Sequence, residues 1–462
     1  MSIPPTQRVC VIGAGSSGIA ACQVLHARAI PFDCFEQSSQ VGGNWRYHND
    51  NGSSAAYRSL HINTSRGLIA YRTYPMPTHL PPYPNHFQIA EYFDSYVDHF
   101  GFRDEIAFRT QVTHVEPVPG GWAVTFHPVD GGSEETRRYG AVLVANGHHW
   151  DPRWPEPPFP GADTFTGTQM HAHAYDTPEI FVGQRVVVLG IGNSACDIAV
   201  EASRTAERTF LAMRRGAYVI PKFIGGKPVD ETSGAWFARL PLPIQRKVMG
   251  MMLKSSQGRM TDYGLPEPDH QLLEAHPTVS SDLLPRIGHG DIEIKPNIAR
   301  FEAGDVVFED GSREPVDLVV YCTGYKITFP FFAPELISAP DNHIPLYRRV
   351  VSPEHPGLYF IGLLQPLGAV MPLAEAQSEW VADILQGRVQ LPRPERMRDV
   401  IEREEARMRE RYVASKRHTI QVDFHPYMRT IERERRRHGL VGRLTGELAA
   451  RSHELRLGQP SR

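Results

Sequence analysis

Two short glycine-rich runs carry the residues of this chain whose types and spacing point most directly to chemistry. Gly13-Ala14-Gly15-Ser16-Ser17-Gly18 follows the apolar, β-rich run Arg8–Ile12 and precedes an Ala-rich stretch from Ile19 to Arg28. Gly190-Ile191-Gly192-Asn193-Ser194-Ala195 follows Arg185–Leu189 and precedes the helix-compatible Cys196–Ser203, 177 residues downstream of the first run. Between a strand and a helix, glycines permit a tight turn and let backbone N–H groups approach a pyrophosphate at the helix N-terminus. One such run is weak support for a dinucleotide site. Two, each in strand–helix context, are much stronger.

The residue closing each unit's second strand distinguishes the two ligands. Phe32–Glu36 resumes strand character, and Glu36 lies 23 residues beyond the first glycine, with Gln37 beside it. A carboxylate there accepts a hydrogen bond from an adenosine ribose 2′-OH and repels a 2′-phosphate. In the second unit the corresponding position, after Thr209–Met213, is Arg214, followed by Arg215. A guanidinium pairs with a 2′-phosphate; the alternative is a solvated surface charge. The first site is therefore expected to hold FAD or NAD, and the second NADP. Two such sites imply electron traffic between nicotinamide and flavin. No cysteine pair is spaced as a redox dithiol, which leaves oxygen as the remaining large class of acceptor.

The elements that must position these residues read as an α/β chain with two Rossmann-like units. With 462 residues, a prior of about 150 per domain suggests about three domains. Hydrophobic residues at 41% and charged residues at 22% suit a folded globular chain. Further strand-like runs lie at Gln111–Val115, Trp122–His127, Ala141–Ala145 and Val316–Cys322, and prolines cluster from Pro152 to Pro160 at a plausible boundary. The segments 41–86 and 216–290 read as irregular, and both are long enough to be functional loops. Five cysteines without a C-x-x-C, no leader-like N-terminus and no apolar run near 18 residues predict a cytoplasmic protein without a membrane partner. A formal charge of −3 argues against a polyanion partner, so no nucleic acid is expected. From Arg388 onward the chain carries a net +8, but acidic and basic residues interleave, as in Glu405/Arg409 and Glu432/Arg436, and a solvated helical face is expected there.

Phe165-Thr-Gly167-Thr-Gln-Met-His171-Ala-His173-Ala-Tyr175 matches F-x-G-x-x-x-H-x-x-x-Y, and the chain thereby resembles the class B flavin-containing monooxygenases. Val41-Gly-Gly-Asn44-Trp45, His61-Ile-Asn63-Thr64-Ser, Cys322-Thr323-Gly-Tyr325 and Gln365-Pro-Leu-Gly-Ala-Val-Met371 resemble the same family, over about Arg8 to Met397. The resemblance implies an FAD domain built from both chain ends, with an NADPH domain inserted into it. The expected boundaries are 1–164 and 297–392 for FAD, 165–296 for NADPH, and a helical C-terminal extension at 393–462. It also implies that NADPH reduces FAD, that O₂ adds at the flavin C4a to give a hydroperoxide, and that an amine nitrogen or sulfide takes the distal oxygen.

Carried over by position, Asn63 and Thr64 resemble the family motif near the flavin C4a and NADP, and an asparagine amide can donate to a peroxide. Asn44 and Trp45 resemble a flavin-contacting pair, and Thr323 and Gln365 flavin neighbours. His171-x-His173 could begin a metal pair, but a site needs three or four ligands and no third lies near, so no metal is expected; a structural role for His171 at the domain junction is the alternative. Tyr175-Asp176 stands where Baeyer–Villiger relatives usually have Trp, which favours heteroatom oxygenation over ketone insertion. Thr73 stands where relatives often have Asp. The alternatives to an oxygenase of soft nucleophiles are a Baeyer–Villiger or mixed-specificity enzyme, an uncoupled NADPH oxidase, and a flavin-binding scaffold. Substrate-shaping residues are expected in 216–290 and 64–86, and a homodimer is expected only from its general frequency.

Overall fold

The computed structural model describes residues 7–232, 237–275, 277–412 and 419–436. Two five-stranded parallel sheets organise it. The first runs Leu358–Phe360, Ala141–Val144, Val9–Ile12, Phe32–Phe35 and Ile106–Ala107 in spatial order. The second runs Glu293–Pro296, Arg208–Met213, Arg185–Leu189, Leu318–Tyr321 and Thr168–His171. All neighbouring strands in both are parallel.

The central strands are apolar throughout because both faces are covered. In the first, Val9 and Val11 face a core shared with the helices Ser16–Ala27, His86–Phe100 and Met371–Leu385. Cys10 and Ile12 face the other way, onto the antiparallel strands Thr110–Val118 and Gly121–Pro128. The second sheet repeats the plan. Val186 and Val188 pack on helix Asn193–Thr205, while Val187 and Leu189 pack on the antiparallel strands Ile298–Glu302 and Asp305–Phe308. The two-residue period of the strand thus feeds two different cores from one run.

Three expectations need correction. The second sheet does not end near 296: Leu318–Tyr321 pairs with Arg185–Leu189, and Ile298–Glu302 and Asp305–Phe308 cover its face. The reason is local. Asp317 accepts the Arg185 backbone N–H at 2.8 Å and both guanidinium arms, so this late strand is pinned to the start of the central one. Second, the 216–290 segment is not irregular throughout, since Leu242–Gln257 is a 16-residue helix that Gly258 ends. Gly250 in its middle and only one fully buried residue, Leu253, weaken its sequence signature. Third, the basic tail is not simply a solvated face. Met397 and Ile401 on helix Pro394–Arg411, and Tyr427 and Ile431 on helix Phe424–Arg435, enter the first core. Glu405 does pair with Arg409 at 3.8 Å, but Glu432 and Arg436 form no ion pair among the described residues. The remaining tail charges beyond Arg436 lie outside those residues.

Candidate functional site

Both glycine runs make the turns their positions require. Gly13 has φ +97 and Gly190 has φ +136, and a Cβ on either would lie 2.8 Å from a neighbouring carbonyl oxygen, of Ala145 and Cys322 respectively. The helices that follow, Ser16–Ala27 and Asn193–Thr205, have Gly15 and Gly192 at their N-caps and no side-chain cap bond. Their first N–H groups and the positive ends of their dipoles are therefore open to an anion. Both N-termini open into one cavity of about 1660 Å³. A pair of dinucleotides, each with its pyrophosphate at one helix, fits this arrangement.

Nearly all of the expected site residues line that cavity: Gly13, Gly15, Ser16, Ser17, Glu36, Gln37, Asn44, Trp45, Asn63 and Thr64 on one side of the chain's division, and Gly190, Gly192, Asn193, Ser194, Ala195, Arg214, Arg215, Thr323 and Gln365 in the later segments. Ala14 and Gly18 do not line it. Ala14 is fully buried, and its N–H donates to Glu36 Oε2 at 2.7 Å; Gly18 sits against the Gly13 carbonyl, where a Cβ would lie 1.8 Å from the oxygen. Their part is to shape the loop.

Glu36 is held from two sides, its other oxygen accepting the Ser38 N–H at 2.8 Å. Burial raises its pKa against these two lowering bonds. Each carboxylate oxygen keeps a lone pair for a ribose hydroxyl. Arg214 is exposed at the cavity with no ion-pair partner among the described residues, and Arg215 lies 3.6 Å from Asp269. Thr323 donates its hydroxyl to the Arg153 carbonyl, so it staples two chain segments at the cavity wall. Asn44 accepts the Ala55 N–H at 2.8 Å, and Asn193 accepts that of Val279 at 2.8 Å. Both side chains are engaged in shaping loops. The Asn63 amide is different: it lines the cavity and makes no hydrogen bond among the described residues.

The motif Phe165-x-Gly167-x-x-x-His171-x-x-x-Tyr175 forms the edge of the second sheet. The Phe165 and Phe301 rings meet at a tilt with centroids 4.8 Å apart, and the Tyr175 hydroxyl donates to Glu201 on the second glycine-loop helix. His171 Nδ1 accepts the His173 N–H at 3.0 Å, which shapes the turn after the strand. Burial pushes the His171 imidazole down to about 4 and the His148 imidazole well below its usual range, so neither is a cation at neutral pH. No group of three or more His, Cys, Asp or Glu side chains among the described residues could hold a metal ion.

Of the two segments expected to shape a substrate, 216–290 contributes Tyr218, Ile220, His270, Leu272 and Leu273, whereas 64–86 contributes only Thr64 and Ile69. The loop around Thr73 is bound elsewhere. Glu375, fully buried, accepts the Arg72 N–H at 2.8 Å and the Thr73 hydroxyl. Tyr71 reaches the first glycine run, donating to the Ser16 carbonyl at 2.5 Å. This loop braces the dinucleotide turn.

Sequence reasoning missed a polar cluster beside the second loop. The Tyr57 hydroxyl donates to Asp197, which lies on the helix Asn193–Thr205, and Tyr57 lines the cavity. Burial lifts the Asp197 carboxyl to about 6. The available signal was Asp197 four residues before Glu201 in the otherwise apolar run Ala195–Ala202. Nothing in the sequence tied it to Tyr57, 140 positions away.

Residues 6–436 match the family model described as "FMO-like: Flavin-binding monooxygenase-like". The chain is similar to flavin-containing monooxygenase 5 of Oryctolagus cuniculus, at 38% identity over 92% of this chain and 81% of the relative. It is also similar to dimethylaniline monooxygenase [N-oxide-forming] 2 of Mus musculus, at 34% identity over 87% and 78%. Among solved structures it is similar to an S-allyl-L-cysteine S-oxygenase from Allium sativum, with TM-score 0.70 and 26% identity over 98% of this chain and 94% of the other. A cyclohexanone monooxygenase shares the fold, with TM-score 0.69 at 18% identity over 93% and 98%.

Proposed function

The chain belongs to the flavin-binding monooxygenase family and is an FAD- and NADPH-dependent monooxygenase, and from that premise we propose that it oxygenates soft nucleophiles, an amine nitrogen or a sulfide sulfur. The net reaction takes NADPH, a proton, O₂ and substrate to NADP⁺, water and the N- or S-oxide. The observation that carries the reading is the single cavity onto which both glycine-capped helix N-termini and the unbonded Asn63 amide open. The N-oxide-forming relative and the S-oxygenase neighbour both act, by their names, on a heteroatom. Tyr175-Asp176, standing where Baeyer–Villiger relatives usually have Trp, fits heteroatom oxygenation rather than ketone insertion.

Bound FAD supplies the two-electron exchange with nicotinamide and the activation of O₂. The chain's own groups do the holding. The N-terminus of Ser16–Ala27 takes the FAD pyrophosphate and Glu36 its ribose, while Asn44, Trp45, Thr323 and Gln365 line the flavin's surroundings. The N-terminus of Asn193–Thr205 takes the NADPH pyrophosphate, and Arg214 and Arg215 its 2′-phosphate. With both cofactors bound, the otherwise unbonded Asn63 amide would be available to donate through Nδ2–H to oxygen and to accept through Oδ1 from the nicotinamide carboxamide.

Coupling is the decisive measurement. With a tertiary amine or a thioether, N- or S-oxide formed should account for most of the NADPH consumed. Consumption that appears entirely as hydrogen peroxide would overturn the proposal in favour of an NADPH oxidase. In Asn63→Ala, peroxide released per NADPH should rise severalfold, and unchanged coupling would remove Asn63 from the reaction.

A further inference from the structure

The Asn63 amide makes no hydrogen bond of its own among the described residues, so its position depends on the backbone that carries it. That backbone is gripped from the NADPH side. The segment after Val219–Ile220 folds into a short antiparallel hairpin, Phe223–Ile224 with Lys227–Pro228, closed by the Val229 N–H donating to the Lys222 carbonyl at 3.0 Å. Lys222 stands just before the hairpin and Asp230 just after it. Lys222 Nζ donates to the Ile62 carbonyl at 3.1 Å, and Asp230 Oδ2 accepts the Ser65 N–H at 2.6 Å. These two bonds bracket Asn63 and Thr64, one residue before the pair and one after it.

We propose that this hairpin is a clamp by which the NADPH unit positions the Asn63 amide, with Lys222 and Asp230 as positioning residues. This rests on the role given to Asn63 above. Other contacts join the same two surfaces. The Tyr83 hydroxyl donates to the Lys222 carbonyl at 2.7 Å, and the Lys222 ammonium lies 5.2 Å above the Tyr83 ring. Lys222 is itself oriented, its N–H donating to Ser281 Oγ at 3.0 Å. Burial of the half-buried ammonium lowers its pKa, and Asp197 and Asp282 act against that shift in favour of the charged form. A charged donor to a carbonyl in such surroundings is worth more than a neutral one. The clamp therefore connects the strand that follows the second glycine unit to the amide that serves the first.

The test uses the FAD-loaded enzyme and compares peroxide released per NADPH across variants. Lys222→Met and Asp230→Ala should each raise the leak threefold or more, with the KM for NADPH and the rate of flavin reduction changed less than twofold. Lys222→Arg, which keeps a cationic donor, should restore coupling. Combined with Asn63→Ala, neither substitution should add to the leak of Asn63→Ala alone, because they act through that amide. If Asn63→Ala leaks but Lys222→Met and Asp230→Ala remain coupled, the clamp is overturned and the role of Asn63 stands. If Asn63→Ala itself stays coupled, that role fails and the clamp falls with it. Should Lys222→Met not load FAD, Asp230→Ala and Lys222→Arg still decide the matter. A lower thermal midpoint with intact coupling would mark a structural contact and count against the proposal.

Discussion

Arg214 stands at the cavity with its guanidinium exposed, where Arg215 already leans toward Asp269. A site with one uncommitted arginine discriminates by charge: a 2′-phosphate gains a charge-assisted pair that a bare ribose cannot supply. Arg214→Ala is expected to raise the KM for NADPH tenfold or more and that for NADH less than twofold, by initial-rate kinetics with each coenzyme. Asp197 yields a prediction about pH. Its folded pKa, about 6, lies above the ordinary carboxylate range, so between about pH 4 and 6 the unfolded chain has lost a proton that the folded chain retains. Stability is thus fully present below that window and declines as pH rises through it, by on the order of 3 kcal/mol at most. Asp197→Asn keeps an acceptor for Tyr57 but cannot ionise. Its thermal midpoint should gain on the wild type from pH 4 to pH 7, and a constant difference would refute the assignment. The carboxyl at 197 was visible in the sequence; its burial under Tyr57 was not, because that depends on where a distant loop is laid down.

At the scale of elements, the edge of the second sheet explains a motif that sequence could only recognise. Gly167 has no room for a side chain, since a Cβ would lie 2.6 Å from the Phe165 ring and 2.7 Å from the Asp317 carbonyl. Phe165 anchors this edge in the core under the sheet, and Tyr175 ties the chain after it to the helix Asn193–Thr205. Gly167→Ala should cost about 1–3 kcal/mol through overpacking, lowering the thermal midpoint by several degrees in calorimetry. An unchanged midpoint would show that the edge can yield. The strands themselves were legible: Arg8–Ile12, Phe32–Glu36, Arg185–Leu189 and Thr209–Met213 all lie within a residue or so of the observed bounds. Fully buried parallel strands write themselves as unbroken apolar runs. The helix Leu242–Gln257 did not stand out, because Gly250 interrupts it and its apolar residues form no clean stripe: Leu253 is buried, but Ile244 and Met251 are exposed.

At the scale of the whole molecule, the C-terminal helices reach back to the first glycine loop. The Tyr427 hydroxyl donates to the Arg348 carbonyl at 2.6 Å and accepts from Gln377 Nε2 at 2.7 Å. Gln377 Oε1 in turn accepts the Gly362 N–H at 2.8 Å, and Gly362 approaches so near that a Cβ would lie 1.9 Å from Ser17 Oγ. Glu404 and Glu434, one from each tail helix, converge on Arg348, while the Ile420 carbonyl accepts the Gln365 N–H at 2.9 Å and Ile420 lines the cavity. Tyr427→Phe breaks this relay at a buried site, a loss of about 1–3 kcal/mol. FAD release on dilution, followed by flavin fluorescence, should be severalfold faster; unaltered retention would separate the tail from the cofactor site. The basic residues of the tail meet acidic groups of the body in other pairs, Arg435 with Glu379 and Asp383 and Arg398 with Glu354. By itself the sequence determined two strand–glycine–helix units, the carboxylate and guanidinium at the ends of their second strands, and the family, because each of those is a local pattern of neighbouring residues. Only the tertiary structure decided that Leu318–Tyr321 joins the second sheet, that the tail walls the cavity, and that Lys222 and Asp230 bracket Asn63. Those are contacts between residues tens to hundreds of positions apart, and local spacing carries no information about them.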